Sequence, residues 1–377
     1  MKLLFVSMSA RTIEDSSGNI YLNSHMNRKT IKRYADICDE FRMILRDSGI
    51  RCDEEEAKHK YDLFPYDLAQ LDIGFNPYNP KTNLIKVKKY KELERLIEKD
   101  ILWADRVILA SAVGVYSEIA IKYCRKYHRK YMLMVGGFAY ETDWNHGIDG
   151  KIVAWKHERI CKKNMANAPY GLYVTQKSLQ ERYPCTGKTI GCSDVEIMDL
   201  SPSILEERLK KMTSGKTILS LGTAANIDDK LKGHRFEYHL LGSGCGEELL
   251  SYAKQCGVED QVIIDGSKPH NEVYGWLDSI DIYIQPSFTE GLCRAVVEAM
   301  SRACPVVCTN VGGNSELCSN EYLVKPGDSE GIVKALEFLI SDDERKKQAQ
   351  ISFEKAHDYY SETLDQKRQE FLLDFMK

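Results

Sequence analysis

The stretch Gln285-Pro286-Ser287-Phe288-Thr289-Glu290-Gly291-Leu292-Cys293-Arg294-Ala295-Val296-Val297-Glu298-Ala299-Met300 decides how this chain folds. An apolar run of strand length, Asp281 through Ile284, precedes it, and another, Pro305 through Thr309, follows. Strand, loop, helix and strand in that order are the repeating unit of a parallel α/β sheet. In such a sheet, ligands lie outside the carboxyl ends of the strands, where helix N-termini present unpaired amides to anions. Glu290 is expected at that mouth, and Glu298, if helical, about 12 Å further along the axis at roughly 1.5 Å per residue. Two carboxylates so spaced can hold the hydroxyl-rich ends of one elongated ligand while the amides between them face its anionic middle. A nucleotide sugar has that layout. Taken alone, the spacing is met more often by a surface helix whose two glutamates face water.

Working outward, the same alternation fills most of the chain. Val107 through Ala110, Tyr131 through Val135, Leu172 through Val174 and a short polar run near Lys188 read as strands. Helical spacing marks Val87, Tyr90, Leu93, Leu96 and Ile97, and then Tyr116 through Arg129. Ile31, Tyr34, Ile37, Cys38, Phe41, Ile44 and Leu45 predict a helix ending at Gly49, after a polar loop over residues 11–24. The charged segment Ser201 through Lys216 reads as a connecting helix and linker. Beyond it Thr217 through Leu221, Glu237 through Leu241, Val262 through Ile264, Ile280 through Ile284 and Val306-Val307 are again of strand length. At 377 residues, 43% of them apolar, the chain can bury two cores. The predicted class is α/β, with two doubly wound Rossmann-like domains over 1–200 and 216–345, a linker over 201–215 and a helical tail over 346–377.

Net charge is −4, but residues 1–200 hold 32 Lys plus Arg against 27 Asp plus Glu, leaving 20 against 29 beyond them. The halves are therefore +5 and −9, so the first half is suited to an anionic partner. Its densest basic runs are Lys86, Lys88, Lys89, Lys91 and Arg95, and Lys122, Arg125, Lys126, Arg129 and Lys130. Twelve scattered cysteines without a Cys-x-x-Cys pair point to a reduced, cytoplasmic chain. The opening Met1 through Ala10 fits a buried first strand better than a signal peptide, and no run reaches 18 apolar residues. Nucleic-acid motifs and internal repeats are absent from the sequence.

Pro286-Ser287, Glu290-Gly291-Leu292, Arg294-Ala295, Glu298-Ala299-Met300, Pro305-Val306-Val307 and Gly312-Gly313 with Glu316 together resemble the signature of retaining nucleotide-sugar glycosyltransferases of family four, which have the GT-B architecture. Trp144-Asn145-His146-Gly147, Tyr173-Val174-Thr175, Leu179-Gln180-x-Arg182-Tyr183-Pro184 and Ser193-Asp194-Val195-Glu196 extend the resemblance toward a subgroup that builds bacterial surface polysaccharides. The resemblance implies two domains facing a central cleft, with the last helix crossing back onto the first domain. It also implies Glu298 on the ribose hydroxyls of the donor, Glu290 on its sugar ring, and the amides of Gly291, Leu292 and Cys293 completing that contact. Lys232 stands at the lysine that grips the donor diphosphate, with Lys230 as a nearby substitute.

Building negative charge on a leaving diphosphate calls for preorganised cations and amides. The family commonly has an arginine near the position of Thr223, and its absence bears on that site. Many relatives have proline where Cys293 stands; Cys293 is read as a packed thiol lending only its backbone. Gly18 would let the loop after the first strand approach the donor phosphates, and His146 is a candidate on the acceptor side, equally suited to fixing a loop. Gly242-x-Gly244-x-Gly246 has the wrong spacing for a dinucleotide fingerprint. No Asp-x-Asp occurs, so no metal and no cofactor are expected, and a UDP sugar is preferred to a GDP sugar as donor.

The resulting expectation is a retaining, metal-independent transfer of a hexose from a nucleotide diphosphate sugar to a saccharide acceptor, lipid-linked, in polysaccharide or glycoconjugate biosynthesis. Basic helices of the first half would rest peripherally on the inner, anionic face of the membrane. The alternatives are a noncatalytic GT-B partner subunit of another transferase and a GT-B sugar-nucleotide epimerase. One segment breaks the pattern. Between the strands ending at Gly222 and beginning near Phe236, residues 223–235 are too few and too polar for the usual crossover helix. Either that helix has been lost or the sequence as given omits part of the natural chain, and omission is the better reading.

Overall fold

The structure is a computed structural model that describes residues 1–377 apart from 24–25, 78–85, 146, 213–217, 224–235, 243 and 245, and without the side chains of 86, 223 and 270. The segment 224–235, with its short crossover, lies outside the described residues. The chain divides into two compact units. The first comprises Met1–Tyr173, Leu179–Cys192 and Lys367–Lys377, and the second Val174–Ser178 and Ser193–Gln366.

In the first unit, β1 (Lys2–Asp15) lies at the centre of a parallel sheet, flanked by β3 (Glu40–Cys52) on one side and β6 (Arg106–Leu109) on the other. Beyond β3 comes β5 (Gln70–Gly74), and beyond β6 come β7 (Lys130–Val135), β8 (Tyr170–Tyr173) and β9 (Lys188–Gly191). The far end of β1 folds back antiparallel as β2 (Ile20–Leu22), which pairs with β4 (Asp62–Leu63). Helices α1 (Arg28–Ala35), α2 (Glu54–Lys60), α3 (Lys86–Trp103), α4 (Val115–Lys126), α5 (Ala139–Trp144), α6 (Gly147–Ala166) and α7 (Ser178–Arg182) fall between the strands.

Two expectations are corrected here. The helix read through Ile31 to Gly49 stops at Ala35, where the Asp36 amide returns to Lys32 O. Phe41, Ile44 and Leu45 belong to β3, a parallel strand buried on both faces. Such a strand is a continuous apolar run with no period of its own, so an adjacent helix absorbs it in a periodicity reading. The polar loop read over 11–24 is in part the β1–β2 hairpin. Its turn is closed by the Asp15 carboxylate, which accepts from the amides of Ser17 (2.9 Å) and Asn19 (2.8 Å) and from the Tyr21 hydroxyl (3.2 Å).

The basic run on α4 is largely taken up by α3. Lys122 pairs with Glu94 at 2.7 Å and Lys126 with Glu98 at 3.1 Å, while Arg129 donates to Leu102 O at 2.8 Å. The end of the chain is also part of this unit. Phe371 and Phe375 meet the Tyr170 ring edge-on, Arg106 donates to Phe375 O at 2.9 Å, and Lys188 pairs with Asp374 at 2.8 Å.

The second unit holds six parallel strands in the order β12 (Val262–Gly266), β11 (Phe236–Leu241), β10 (Leu219–Thr223), β13 (Ile282–Gln285), β14 (Val306–Thr309), β15 (Leu323–Val324). Chain order reverses direction between β10 and β13, the arrangement of a doubly wound sheet. Leu221, Phe236, Leu240, Ile282, Ile284 and Val307 form its core, each contributing about 1.5–3 kcal/mol by leaving water. The helices are α8 (Pro202–Met212), α9 (Gly246–Cys256), α10 (His270–Ser279), α11 (Arg294–Ser301), α12 (Ser329–Phe338), α13 (Asp342–Ala356) and α14 (Ser361–Met376), whose last residues pass into the first unit.

The linker read over 201–215 is instead anchored in this unit by α8. Ile204 and Met212 pack with Ala303, Ala349 and Phe353. Arg208, 4% exposed, donates to the carbonyls of Leu277 (2.9 Å), Arg302 (3.1 Å) and Ile280. A buried guanidinium is tolerable only when its donors are met. The charges of the segment read as a connecting helix and linker therefore include one that is structural. Among the described residues every cysteine is free, and no helix is long and apolar enough to cross a membrane.

Candidate active site

The carboxyl ends of β10 and β13 adjoin, with Thr223 registered beside Ile284. Here, at the reversal of strand order, an open parallel sheet leaves a crevice for a ligand. The loop 286–293 leaves the sheet at this point and enters α11, whose N-cap residue is Cys293. Cys293 makes no side-chain capping hydrogen bond there, and a helix N-terminus of this kind can present amides to an anion.

Glu290 is held by a chain of hydrogen bonds from the strand beneath it. The Tyr283 hydroxyl donates to Gln285 Oε1 at 2.7 Å, and Gln285 Nε2 donates to Ser287 Oγ at 2.8 Å. Ser287 Oγ in turn donates to Glu290 Oε1 at 2.7 Å. Tyr283 and Gln285 are buried, so each bond fixes the next in a medium of low polarity. One oxygen of Glu290 is thereby oriented, which is how supporting groups preorganise a charge for a reacting ligand. Thr309 Oγ1 secures the same loop by donating to Ser287 O at 2.6 Å.

The glycine pair of the signature explains how the loop is seated. Gly312 has φ +58°, and a Cβ there would lie 2.1 Å from Glu290 O. Gly313 donates its amide to Gly291 O at 2.6 Å, and a Cβ on it would come within 2.8 Å of that oxygen. No other residue allows both the turn and the close approach. Four residues beyond Gly312, the Glu316 carboxylate accepts from the amides of Gln176 (2.7 Å), Lys177 (3.1 Å) and Ser178 (2.7 Å) and from Ser178 Oγ (2.5 Å). The whole turn 312–316 thus ties the Glu290 loop to the segment 174–178 of the same unit.

Glu298 is half-buried on α11, which begins only at Arg294, so the eight positions between it and Glu290 are part loop and part helix rather than one helical run. Its charge reaches two phenols. Tyr283 is pushed well up by burial and then by Cys293, Glu298 and Glu290, and Tyr274 rises to about 12 through burial and then Glu298. Tyr274 donates to Glu196 O at 3.0 Å. Gly291, Leu292 and Cys293 lie on the loop between the glutamates. The Cys293 thiol, 4% exposed, is pushed up to about 12, first by burial and next by the Glu290 carboxylate. A thiol so held stays protonated and inert near neutral pH.

Gly18, expected near phosphates, sits in the β1–β2 hairpin with φ +81° and donates its amide to Asp15 O. His146, Lys230 and Lys232 lie outside the described residues. Sequence reasoning assigned nothing to Tyr283, Gln285 or Thr309, whose signal was only their place in and beside a strand entering the motif. Nor did it see that Arg182 and Tyr183 of the polysaccharide-like motif serve the fold. They donate to the buried carboxylate of Glu158 on α6, each at 2.6 Å. Among the described residues no cluster of three or more His, Cys, Asp or Glu side chains could hold a metal ion.

Residues 218–355, which contain the loop, both glutamates and the glycine turn, match the family described as glycosyl transferases group 1. Over that segment the chain is similar to group 1 glycosyl transferases. Over 391 aligned positions, spanning all of this chain and 96% of its relative, it is 29% identical to Protein CapJ of Staphylococcus aureus. Over 117 positions, 28% of this chain and 29% of the relative, it is 34% identical to a putative colanic acid biosynthesis glycosyltransferase, WcaL, of Salmonella typhimurium. In fold the chain is similar to Anabaena HepE, solved in complex with UDP and glucose. Their TM-score is 0.62 at 15% identity, with 99% of each chain covered. The two Rossmann-like units are those of the GT-B class.

Proposed function

We propose that this chain moves a hexose, with retention and without a metal ion, from a nucleotide diphosphate sugar to a lipid-linked saccharide in the assembly of a polysaccharide or glycoconjugate. The observation that carries the reading is the buried relay from Tyr283 to Glu290. Three hydrogen bonds aim one carboxylate on the loop that leads into the N-terminus of α11. Glu290 takes hydroxyls of the donor sugar, Glu298 the ribose hydroxyls, and the amides of Gly291, Leu292 and Cys293 the remaining sugar contact. Lys232, with Lys230, neutralises the diphosphate as it leaves. The glycosidic C–O bond to the diphosphate breaks while the acceptor hydroxyl bonds the same face of the sugar carbon. The proton of that hydroxyl passes to the departing phosphate oxygen.

The UDP and glucose bound by HepE support a UDP sugar as donor, and the colanic acid role in the name of WcaL supports a polysaccharide product. The acceptor then meets the transferase at the cytoplasmic face of a membrane. Release of nucleotide from a panel of UDP, GDP and ADP sugars tests the reading, with Glu290→Ala and Glu298→Ala beside wild type. Turnover of one donor, lost by about a hundredfold in Glu290→Ala and with a raised donor KM in Glu298→Ala, is the expected result. Unchanged turnover in both variants overturns the roles.

A further inference from the structure

We propose that the outer face of α6 (Gly147–Ala166) is a docking surface for an anionic lipid bilayer. The helix has an inner face that the fold uses fully. Ala154, Glu158, Cys161 and Met165, one or two turns apart, are buried, and Glu158 is clamped by Arg182, Tyr183 and Lys162. About 130° away around the helix, at roughly 100° per residue, lies a second apolar stripe. It consists of Ile148, 80% exposed, Ile152, 74%, and Trp155, 61%. Single exposed apolar residues are ordinary, but three in one stripe joined to further aromatics form a patch. Tyr140 bridges Trp155 (4.8 Å) and Trp144 (5.3 Å), and Trp144 is itself 40% exposed.

The charges around the stripe identify its occupant. At about 100° per residue, Lys151 and Lys162 fall on one side of it, Lys156 and Lys163 on the other, and Arg159 within it one turn beyond Trp155; all five are exposed. The only exposed acid on the helix is Asp149. A rigid helix with an apolar stripe, an aromatic end and lysines along both flanks matches a membrane interface. There the stripe enters the acyl boundary and the ammonium groups reach the anionic headgroups. Lys162 also pairs with Glu158 at 3.0 Å, as Lys122 and Lys126 of α4 pair with acids of α3. The inference adds to the lipid-linked acceptor of the proposed function without depending on it, because docking is read with no sugar present.

The test is co-sedimentation of the full chain with vesicles of phosphatidylcholine alone and of equal parts phosphatidylcholine and phosphatidylglycerol. Wild type is expected to sediment with the anionic vesicles only. The double variant Ile152→Ser/Trp155→Ser and the double variant Lys156→Glu/Lys163→Glu should each lose about tenfold in apparent affinity. Raising the salt should weaken wild type similarly. All four positions are exposed, so thermal unfolding of both variants should match wild type. Wild type that ignores anionic vesicles, or variants that sediment as wild type does, overturn the proposal. So does vesicle binding kept in Ile152→Ser/Trp155→Ser together with a raised KM for a water-soluble acceptor, which would make the patch a saccharide platform.

Discussion

Ser287 Oγ donates to Glu290 Oε1 at 2.7 Å while accepting from Gln285 Nε2 at 2.8 Å, so the hydroxyl cannot turn away without leaving a buried amide unmet. Ser287→Ala removes the only link between the strand and the carboxylate in this relay. A hydrogen bond to a charged group contributes about 2 kcal/mol. The expected result is a roughly thirtyfold fall in kcat/KM for the donor with little change in thermal stability. Donor kinetics beside a melting curve distinguish this from unfolding.

Two of the glycines with positive φ, Gly312 and Gly18, should respond oppositely. Gly312→Ala forces a Cβ against Glu290 O. It should cost about 2 kcal/mol or more and abolish the thermal shift given by UDP. At Gly18 no atom lies within 4 Å of an added Cβ, so Gly18→Ala pays only backbone strain of about 1 kcal/mol. Its donor KM should equal that of wild type, and a large rise would instead support the expected phosphate role.

Arg208 joins α8 to three carbonyls of the sheet layer. Arg208→Met keeps the stem and strands the acceptors, so urea denaturation should show a loss of about 2–4 kcal/mol. Activity per folded molecule should remain that of wild type. A stability unchanged within error would return α8 to the status of a tether.

Buried thiols set an alkaline boundary. Burial raises Cys124, Cys161 and Cys293 to about 12 and Cys304 to about 11, against an ordinary value of 9.0. Between pH 9.0 and about 11 the unfolded chain sheds these protons and the native chain keeps them. Stability is therefore intact below pH 9.0 and falls as pH rises, by about 1.4 kcal/mol per pH unit for each thiol. Urea midpoints compared at about pH 8 and about pH 10.5 should differ strongly, and equal midpoints would contradict the assignment.

Removing Lys367–Lys377 should loosen only the first unit. Leu372 and Phe375 are fully buried, and Asp374 holds Lys188 and Tyr170. Amides of Arg106–Leu109 and Tyr170–Tyr173 should then exchange at least tenfold faster, reflecting about 3 kcal/mol of lost packing. Those of Phe236–Leu241 should keep the wild-type rate.

What the sequence revealed depended on how local the cause was. Ile282 through Gln285, the turn into α11 and Val306 through Thr309 carry their own pattern of apolar run, glycine and helix start, and each element lies where that pattern puts it. Phe41 through Leu45 misled because a strand buried on both faces has no period to read. The structural role of Arg208 was not legible because its three acceptors stand about seventy or more positions away. Glu316 was visible as a motif letter, yet its partners, the amides of 176–178, have no side-chain signature at all.

The short turn from Gly312 to Glu316 bears on any effort to retune this catalyst for another sugar. Because its two glycines prop the loop 286–293 from behind through close backbone approaches, almost any substitution at them would collapse the loop rather than reshape it. Phe288, 62% exposed on that loop, and its neighbour Thr289 are the positions to randomise in a library, with the turn left as written.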